Sequence, residues 1–238
     1  MTENPFAAPN SPETIRPEAQ GGGYSYRSTQ GLATVIKVSI VVYCLGTLGI
    51  MLLNTIGTLR YPNFTNLEAE PSDQTEQLLL IGSFGFAVIT VLVFLVAAVA
   101  VCMFMHRSNR NARVLGATQM EHAPGWSVGY WFIPILNLFR PYQAMKELYQ
   151  SSTSPNGSSW RDVEPSSMLG PWWGCWLIGG MISRAVNRME SKSVDLGMGG
   201  VVANWIAAIL LISGGVLLTM IVKDIAAKQH AAVKKLTG

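Results

Sequence analysis

The 28 residues from Leu78 to Met105, LLLIGSFGFAVITVLVFLVAAVAVCMFM, contain no charged side chain. At about 1.5 Å per residue, a helix of this length reaches roughly 42 Å, more than the hydrocarbon core of about 30 Å in a bilayer. Because uncharged runs longer than about 18 residues are typical of membrane-spanning helices, this stretch indicates an integral membrane protein.

Three further hydrophobic runs support that class: Val38 to Ile56, Met168 to Ser183 and Val201 to Val222. As helices they would reach roughly 28, 24 and 33 Å, so the Met168 to Ser183 run is slightly short. In the whole chain, 49% of residues are hydrophobic and 13% are charged, and the hydrophobic residues arrive in blocks. The sequence therefore predicts an all-α integral membrane protein with four transmembrane helices.

The chain divides into three predicted regions. Residues 1–30 are rich in Pro, Gly, Ser and Glu, and they have too few large hydrophobic residues to offset the entropy of ordering, so we expect a disordered cytoplasmic tail. Residues 31–223 form the predicted helical membrane domain. Residues 224–238 predict a short basic cytoplasmic helix, which suits an anionic membrane surface.

Between the second and third spans lies a short apolar segment within GWSVGYWFIPILNLFRPYQ, residues 125–143. Its apolar part, Trp126 to Phe139, would cover only about 21 Å as a helix, and Pro134 would interrupt its hydrogen bonds. We therefore expect a Pro-broken re-entrant or interfacial element instead of a crossing. Residues 141–150, PYQAMKELYQ, follow as a predicted amphipathic surface helix.

The distribution of Lys and Arg gives an independent prediction of topology, because these residues are enriched in cytoplasmic loops. With four crossings and both termini cytoplasmic, 13 of the 17 lie inside and 4 outside. A fifth crossing by residues 126–139 would leave 9 inside and 8 outside, which is no bias. Four crossings in the cell membrane are therefore predicted.

Two further sets of residues are predicted to contact the membrane surface. The basic juxtamembrane residues follow span two at three-residue spacing and are expected on one helical face near anionic lipid at the cytoplasmic face: Arg107, Arg110 and Arg113. The aromatic residues expected as interfacial anchors are Trp126, Trp131, Trp172 and Trp173.

The sequence offers no pattern for catalysis or for metal or cofactor binding. His106, His122 and His230 are scattered outside the spans, and each is most simply interpreted as a solvated surface residue. No HExxH or CxxC spacing occurs, and the GxSxG spacing of GWSVG, residues 125–129, follows no predicted β-strand, which a nucleophile elbow requires. The net charge of +3 is too small to indicate nucleic-acid binding. We therefore expect no enzyme activity, no metal and no cofactor.

A candidate ligand or partner site lies in the broken segment. Pro134 would free a carbonyl of the preceding turn, Asn137 offers amide donors and acceptors, and Arg140 would sit at the interface. The alternative is that Asn137 caps a broken helix and Arg140 meets lipid phosphate. Both interpretations remain open at this stage.

A distinctive pattern of residues runs from the end of span two through the broken segment: Arg107, Asn111, Leu115, Gly116, Pro124, Trp126, Gly129, Trp131, Phe132, Pro134, Asn137, Leu138, Pro141 and Tyr142. This pattern resembles a bacterial membrane-protein family known as domain of unknown function 4328, over about residues 78–222. Ser108 and Tyr130 depart mildly from the family pattern. The resemblance implies an integral protein of the bacterial cytoplasmic membrane, but it brings no reaction, ligand or catalytic residue.

These observations favour a non-enzymatic, multi-pass membrane protein that serves as a scaffold or regulatory component of a membrane assembly through residues 106–168. Its expected partners are the lipid bilayer and a protein, which could be a second copy of the chain. The alternative is a small transporter or channel with a site in the broken segment 126–141, since interrupted helices often build transporter sites.

Overall fold

The computed structural model of the chain describes residues 25–61, 64, 70–192 and 196–237. The predicted tail lies outside the described residues as far as residue 24, and residues 25–29 lead into the first helix. No β-strand occurs within the described ranges. The α-helices are α1 (Gln30–Arg60), α2 (Gln74–Val114), α3 (Trp126–Gly129), α4 (Arg140–Thr153), α5 (Leu169–Glu190) and α6 (Gly197–Thr237).

Three of these helices, α1, α2 and α6, are long and apolar enough to cross a membrane. The protein is therefore helical and compatible with a multi-pass membrane protein. Helix α5 covers the predicted span Met168 to Ser183 from Leu169 onwards. It does not belong to this group, because three Trp residues, Pro171 and several glycines lower its hydropathy. Helix α6 continues without a break through the basic end that was predicted as a separate helix.

Glycine contacts give the direction of the long helices. Gly46 of α1 lies against Thr90 of α2 and Gly49 against Phe86, so these helices are antiparallel. Gly179 of α5 lies against Leu210 of α6, and Gly214 of α6 lies against Cys175, so this pair is antiparallel as well. Small residues let helix backbones approach closely where the surrounding side chains are apolar. The bundle thus consists of two antiparallel pairs joined by α1 and α6.

The hydrophobic core lies at one end of this bundle. Its fully buried side chains come from five helices: Ile36, Phe104, Met105, Met145, Leu148, Leu169, Trp172, Ile221, Val222 and Ile225. Towards the other end, the long helices expose most of their large apolar side chains. Residues 106–168 cover the core end of the bundle. We call these residues, together with Gln229 of α6, the cap.

A sharp turn after α2 starts the loop of the cap. Gly116 has a φ of 110°, a conformation that glycine adopts without strain. The Ala117 N–H donates to the Ala112 carbonyl at 3.0 Å, and the Gly116 N–H donates to the Arg113 carbonyl at 3.1 Å. This pair of bonds is the Schellman pattern that closes many helices, and it turns the chain back towards α4.

Candidate functional site

The cap contains a buried hydrogen-bond network centred on Gln229 of α6. The Gln229 amide nitrogen donates to the Ser108 carbonyl and to the Ser152 hydroxyl, both at 2.9 Å. Its amide oxygen accepts from Asn111 Nδ2 at 3.2 Å. All four residues are buried, where an unpaired polar group is costly. The network therefore fixes α2, α4 and α6 relative to one another.

Asn111 extends this network to the segment before α1. The Arg27 N–H donates to Asn111 Oδ1 at 3.0 Å, and Asn111 Nδ2 donates to the Arg27 carbonyl at 2.8 Å. One amide side chain thus satisfies both backbone groups of Arg27, as a neighbouring strand would. Arg107 adds a bond from its guanidinium to the Ser28 carbonyl at 3.2 Å. Residues 25–29 are thereby fastened to α2.

Glu147 of α4 holds the loop that follows α2. Its two carboxylate oxygens accept from the backbone N–H groups of Glu121, at 3.1 Å, and of His122, at 3.3 Å. Glu147 is buried, and burial raises its pKa to about 7 despite the two hydrogen bonds, which act in the opposite direction. The carboxyl group therefore changes its protonation state near neutral pH.

His122 is only 3% exposed, so the interpretation of this residue as a solvated surface histidine was wrong. Its ring nitrogen Nδ1 lies 3.4 Å from the Tyr130 hydroxyl, and the two rings meet edge to face. Its carbonyl accepts from Asn109 at 2.9 Å and from Arg113 at 3.0 Å. Burial, followed by the charge of Arg140, lowers the pKa of His122. The loop fold buries this side chain, which hydropathy does not reveal.

Glu121, His122 and Glu147 form a cluster whose potential ligand atoms lie within 4.8 Å of one another. One imidazole and two carboxylates are a ligand set that divalent transition metals accept. However, both oxygens of Glu147 already accept backbone N–H groups, and Arg113 and Arg140 bring positive charge to the cluster. The arrangement is better suited to holding the loop than to binding a cation.

The broken segment consists of α3 and two 3₁₀ turns, Tyr130–Phe132 and Leu136–Leu138. It exposes several apolar side chains, with Phe132 and Ile135 more than 70% exposed. Its inner side packs against α5, where Trp131 contacts Trp173 and Trp176 edge to face. The Trp173 indole N–H donates to the Leu138 carbonyl at 3.0 Å.

The predicted site residues of this segment have separate surroundings. The Asn137 N–H donates to the Ile133 carbonyl at 2.8 Å, across Pro134. Two polar atoms of the broken segment, Asn137 Oδ1 and Trp131 Nε1, are buried without a hydrogen-bond partner among the described residues. Arg140 instead bonds to Gln143 at 3.1 Å and lies over the Tyr130 ring at 5.8 Å. Asn137 and Arg140 thus have no polar partner in common among the described contacts.

The predicted Trp anchors do not share one environment, and neither do the predicted basic juxtamembrane residues. Trp126 is 55% exposed, whereas Trp172 and Trp173 are buried in the protein core instead of forming an exposed belt. Arg107 and Arg110 line one cavity, while Arg113 bonds to Asn109 and His122. Arg113 lies six residues after Arg107, and six residues turn a helix by about 600°. Arg113 therefore points about 120° away from Arg107.

Sequence reasoning missed Gln229, Glu147 and His122 as members of the cap. A usable signal was present, since Ser108, Asn109 and Asn111 interrupt the end of α2 with neutral polar side chains. Neutral amides in a helix that packs against other helices indicate buried hydrogen bonds. The partners of Ser108 and Asn111, however, are 84 to 121 residues distant along the chain and could not be identified from local spacing.

The fold and the cap define an α-helical protein in which three long apolar helices carry a polar cap at one end. Residues 71–227 match the family described as Domain of unknown function (DUF4328), and the chain belongs to this family. The resemblance seen in the sequence is thereby confirmed. Neither a curated protein nor a solved structure matches the chain.

Proposed function

We propose that the chain is a non-enzymatic membrane protein with four crossings, and that it acts through its cap as a scaffold or regulatory component of a membrane assembly. The observation that carries this proposal is the network around Gln229. It joins residues 25–29, α2, α4 and α6 at one end of the bundle. Several buried polar interactions between distant segments are therefore concentrated at the cap, which suits a preformed contact surface.

The helix directions support four crossings. Helix α5 is antiparallel to α6, and its 22 residues reach about 33 Å, enough for a hydrocarbon core of about 30 Å. The residues on both sides of the broken segment lie at the core end of the bundle, since His122 bonds to α2 and α4 follows directly after Phe139. The segment is then a re-entrant or interfacial element whose exposed apolar side chains meet lipid.

The distribution of Lys and Arg supports a location of the cap on the cytoplasmic side of the cell membrane. The cap, the segment before α1 and the last part of α6 contain most of the 17 Lys and Arg residues of the chain. Because such residues are enriched on the cytoplasmic side, the cap and both termini belong there. The positions of Glu147 and His122 support a non-enzymatic role, since their polar atoms hold the loop and Tyr130.

Cysteine labelling from each side of the membrane tests the topology. Single cysteines would replace the exposed residues Ser72, Ala123, Ser158, Lys192 and Lys235, in a background without Cys44, Cys102 and Cys175. We expect Ala123, Ser158 and Lys235 to label only from the cytoplasm, and Ser72 and Lys192 only from outside. Labelling of Ser158 and Lys192 from the same side would overturn the crossing by α5.

Charge reversal on the cap tests the assembly role. The variant Asp162→Lys/Glu164→Lys changes exposed cap residues, and Arg188→Glu/Lys192→Glu is the matched control near the end of α5. After mild solubilisation of native membranes, the wild-type chain should migrate in a complex larger than itself. The cap variant should shift that complex towards the single chain, and the control should not. A wild-type chain that migrates alone would contradict the assembly role.

A second candidate function is transport of a small solute, favoured by the unpartnered Trp131 Nε1 and Asn137 Oδ1. Buried polar atoms require partners, and a solute or water in the broken segment could supply them. Solute flux into proteoliposomes that is abolished by Asn137→Leu, but retained in the exposed control Gln143→Leu, would support transport. Flux that Asn137→Leu leaves unchanged would contradict a site at this position.

A further inference from the structure

A cavity of about 150 Å³ opens beside the end of α2, between this helix and the segment before α1. It does not include the broken segment or the Glu147 cluster. Its lining combines one apolar side chain, Met103, with the polar residues Ser25, Arg27, His106, Arg107 and Arg110.

The wall contributed by Ser25 and Arg27 is held in a defined position. The Arg27 backbone makes two hydrogen bonds with Asn111, which also lines the cavity. Arg107 donates to the Ser28 carbonyl with one nitrogen, and its guanidinium carries five N–H donors in total. The cavity is therefore built by a specific contact between two parts of the chain, and Arg107 belongs to both the contact and the lining.

The cavity is strongly basic. Its lining residues include Arg27, His106, Arg107 and Arg110, and none of its described lining residues is acidic. Arg107 and Arg110 are half-buried, so water screens their charges less than it would at an open surface. Guanidinium groups bind phosphate oxygens through paired hydrogen bonds. The cavity thus has the charge and the donors for a phosphate group.

The cavity also lies at a particular depth. Met103 belongs to the uncharged run that ends at Met105, and His106 begins the polar part of α2. In a membrane, this boundary coincides with the headgroup region, where lipid phosphates lie. Basic pockets at the cytoplasmic side of transmembrane helices bind anionic headgroups.

We propose that this cavity binds the phosphate group of an anionic phospholipid, with Arg107 and Arg110 as the principal ligands and Arg27 closing the site. This inference rests on the proposed membrane location and cytoplasmic cap. Because the phosphate bridges residues 25–29 and α2, the bound lipid fastens the segment before α1 to the cap. A phosphomonoester headgroup is preferred over a diester, because its larger negative charge matches several cations.

Native mass spectrometry of the full chain in detergent tests the site with three probes: phosphatidic acid, phosphatidylglycerol and phosphatidylcholine. We expect affinity to fall in that order. Arg107→Gln/Arg110→Gln should weaken phosphatidic acid binding about tenfold or more, since each basic residue near an anionic surface contributes about a fivefold factor. Arg27→Gln should weaken it by a smaller factor.

The matched control is Lys234→Gln/Lys235→Gln, which removes the same charge from the exposed last turn of α6, outside the cavity. We expect this control to retain the wild-type affinity. An equal loss in both double variants would overturn the cavity as the site. Displacement of phosphatidic acid by an equal concentration of inorganic phosphate would overturn the assignment to lipid and indicate a soluble phosphate ligand.

The test of the lipid site and the test of the proposed function can fail independently of each other. Lipid binding is measured on the solubilised chain without a protein partner, whereas the assembly role is measured by complex size. If Arg107→Gln/Arg110→Gln loses lipid while the complex keeps its size, the lipid site stands and is independent of assembly. If Asp162→Lys/Glu164→Lys leaves the complex unchanged while lipid binding persists, only the proposed function fails.

Discussion

The two parts of α2 are stabilised in different ways. From Gln77 to Val99 none of its residues is buried, whereas its last fifteen residues include Phe104, Met105, Ser108 and Asn111, all nearly inaccessible. One continuous helix thus passes from a part with few protein neighbours into a part that packs on several segments. In the proposed membrane location, lipid surrounds the side chains that have few protein neighbours. Specific protein contacts are concentrated in the cap.

The cap and the contacts between the long helices differ most in how they use polar groups. In the cap, Gln229, Asn111 and Glu147 hold backbone and side-chain partners from distant segments. Between the long helices, contact depends on small residues such as Gly46 and Gly179. We therefore expect substitutions in the cap to cost more stability than comparable substitutions between the long helices.

The largest loss is expected for Gln229→Leu. This change removes the partners of the Ser108 carbonyl and the Ser152 hydroxyl, and the unpaired buried groups should lower the free energy of unfolding by about 2 to 3 kcal/mol. Thermal unfolding of the solubilised chain, followed by circular dichroism, measures the effect. Thr219→Val is the control on the same helix, because the Thr219 hydroxyl donates to the Gly215 carbonyl of its own helix. Equal losses in both variants would contradict a special role for the network.

A smaller, pH-dependent change is expected for Glu147→Gln. The folded chain holds a proton on Glu147 up to its pKa of about 7, whereas the unfolded chain loses it near the ordinary value of 4.5. The wild-type carboxyl therefore becomes increasingly unfavourable to folding as pH rises through this window. His122, whose pKa is lowered, has the opposite dependence, and it is present in both proteins.

The measurement for Glu147→Gln is the melting temperature of the variant minus that of the wild type, across pH. This difference should become more positive between about pH 4.5 and about pH 8. Glu164→Gln, which changes an exposed cap carboxyl, should give a flat difference. A flat profile for Glu147→Gln as well would contradict the raised pKa.

Gly179→Ala tests the contact between α5 and α6. A Cβ at this position would lie 3.1 Å from Leu210 Cβ and 3.2 Å from the Ala207 carbonyl oxygen, so the helices must separate slightly, at a cost of about 1 kcal/mol. Gly174→Ala is the control, since its Cβ would have no neighbour within 4 Å and Ala favours the helix. The melting temperatures should move in opposite directions. A shift of both in the same direction would contradict the close contact.

The sequence predicted the features that depend on local composition. The long apolar runs predicted helices α1, α2 and α6, and their spacing predicted a helical protein compatible with several crossings. Family membership was likewise visible, because the resemblance was recognised on residues such as Trp126, Pro134 and Asn137, which the family match covers. Each of these features is determined by residues that are close together in the chain.

The features that depend on distant partners were not predicted. His122 looks like a surface residue in its own loop, and only the approach of Glu147 and Tyr130 buries it. Trp172 and Trp173 have the composition of an interfacial belt, but α4 and the broken segment cover them. For the same reason, the spacing of Arg107, Arg110 and Arg113 did not reveal that the third residue supports the loop.

The smallest expected effect lies far from the cap, where Trp205 Nε1 of α6 donates to Thr55 Oγ1 of α1 at 2.9 Å. A double-mutant cycle with Trp205→Phe and Thr55→Val should give a coupling energy of about 0.6 kcal/mol, the average for hydrogen bonds between membrane helices. The bond is weak because Thr55 keeps a second partner, the Met51 carbonyl at 2.7 Å, and because each group finds alternatives when the helices separate. The Gln229 and Asn111 pair should couple more strongly in the same assay, since burial removes those alternatives. A Trp205 and Thr55 coupling as large as that of the cap pair would mean that the two ends differ in packing and not in the strength of their polar bonds.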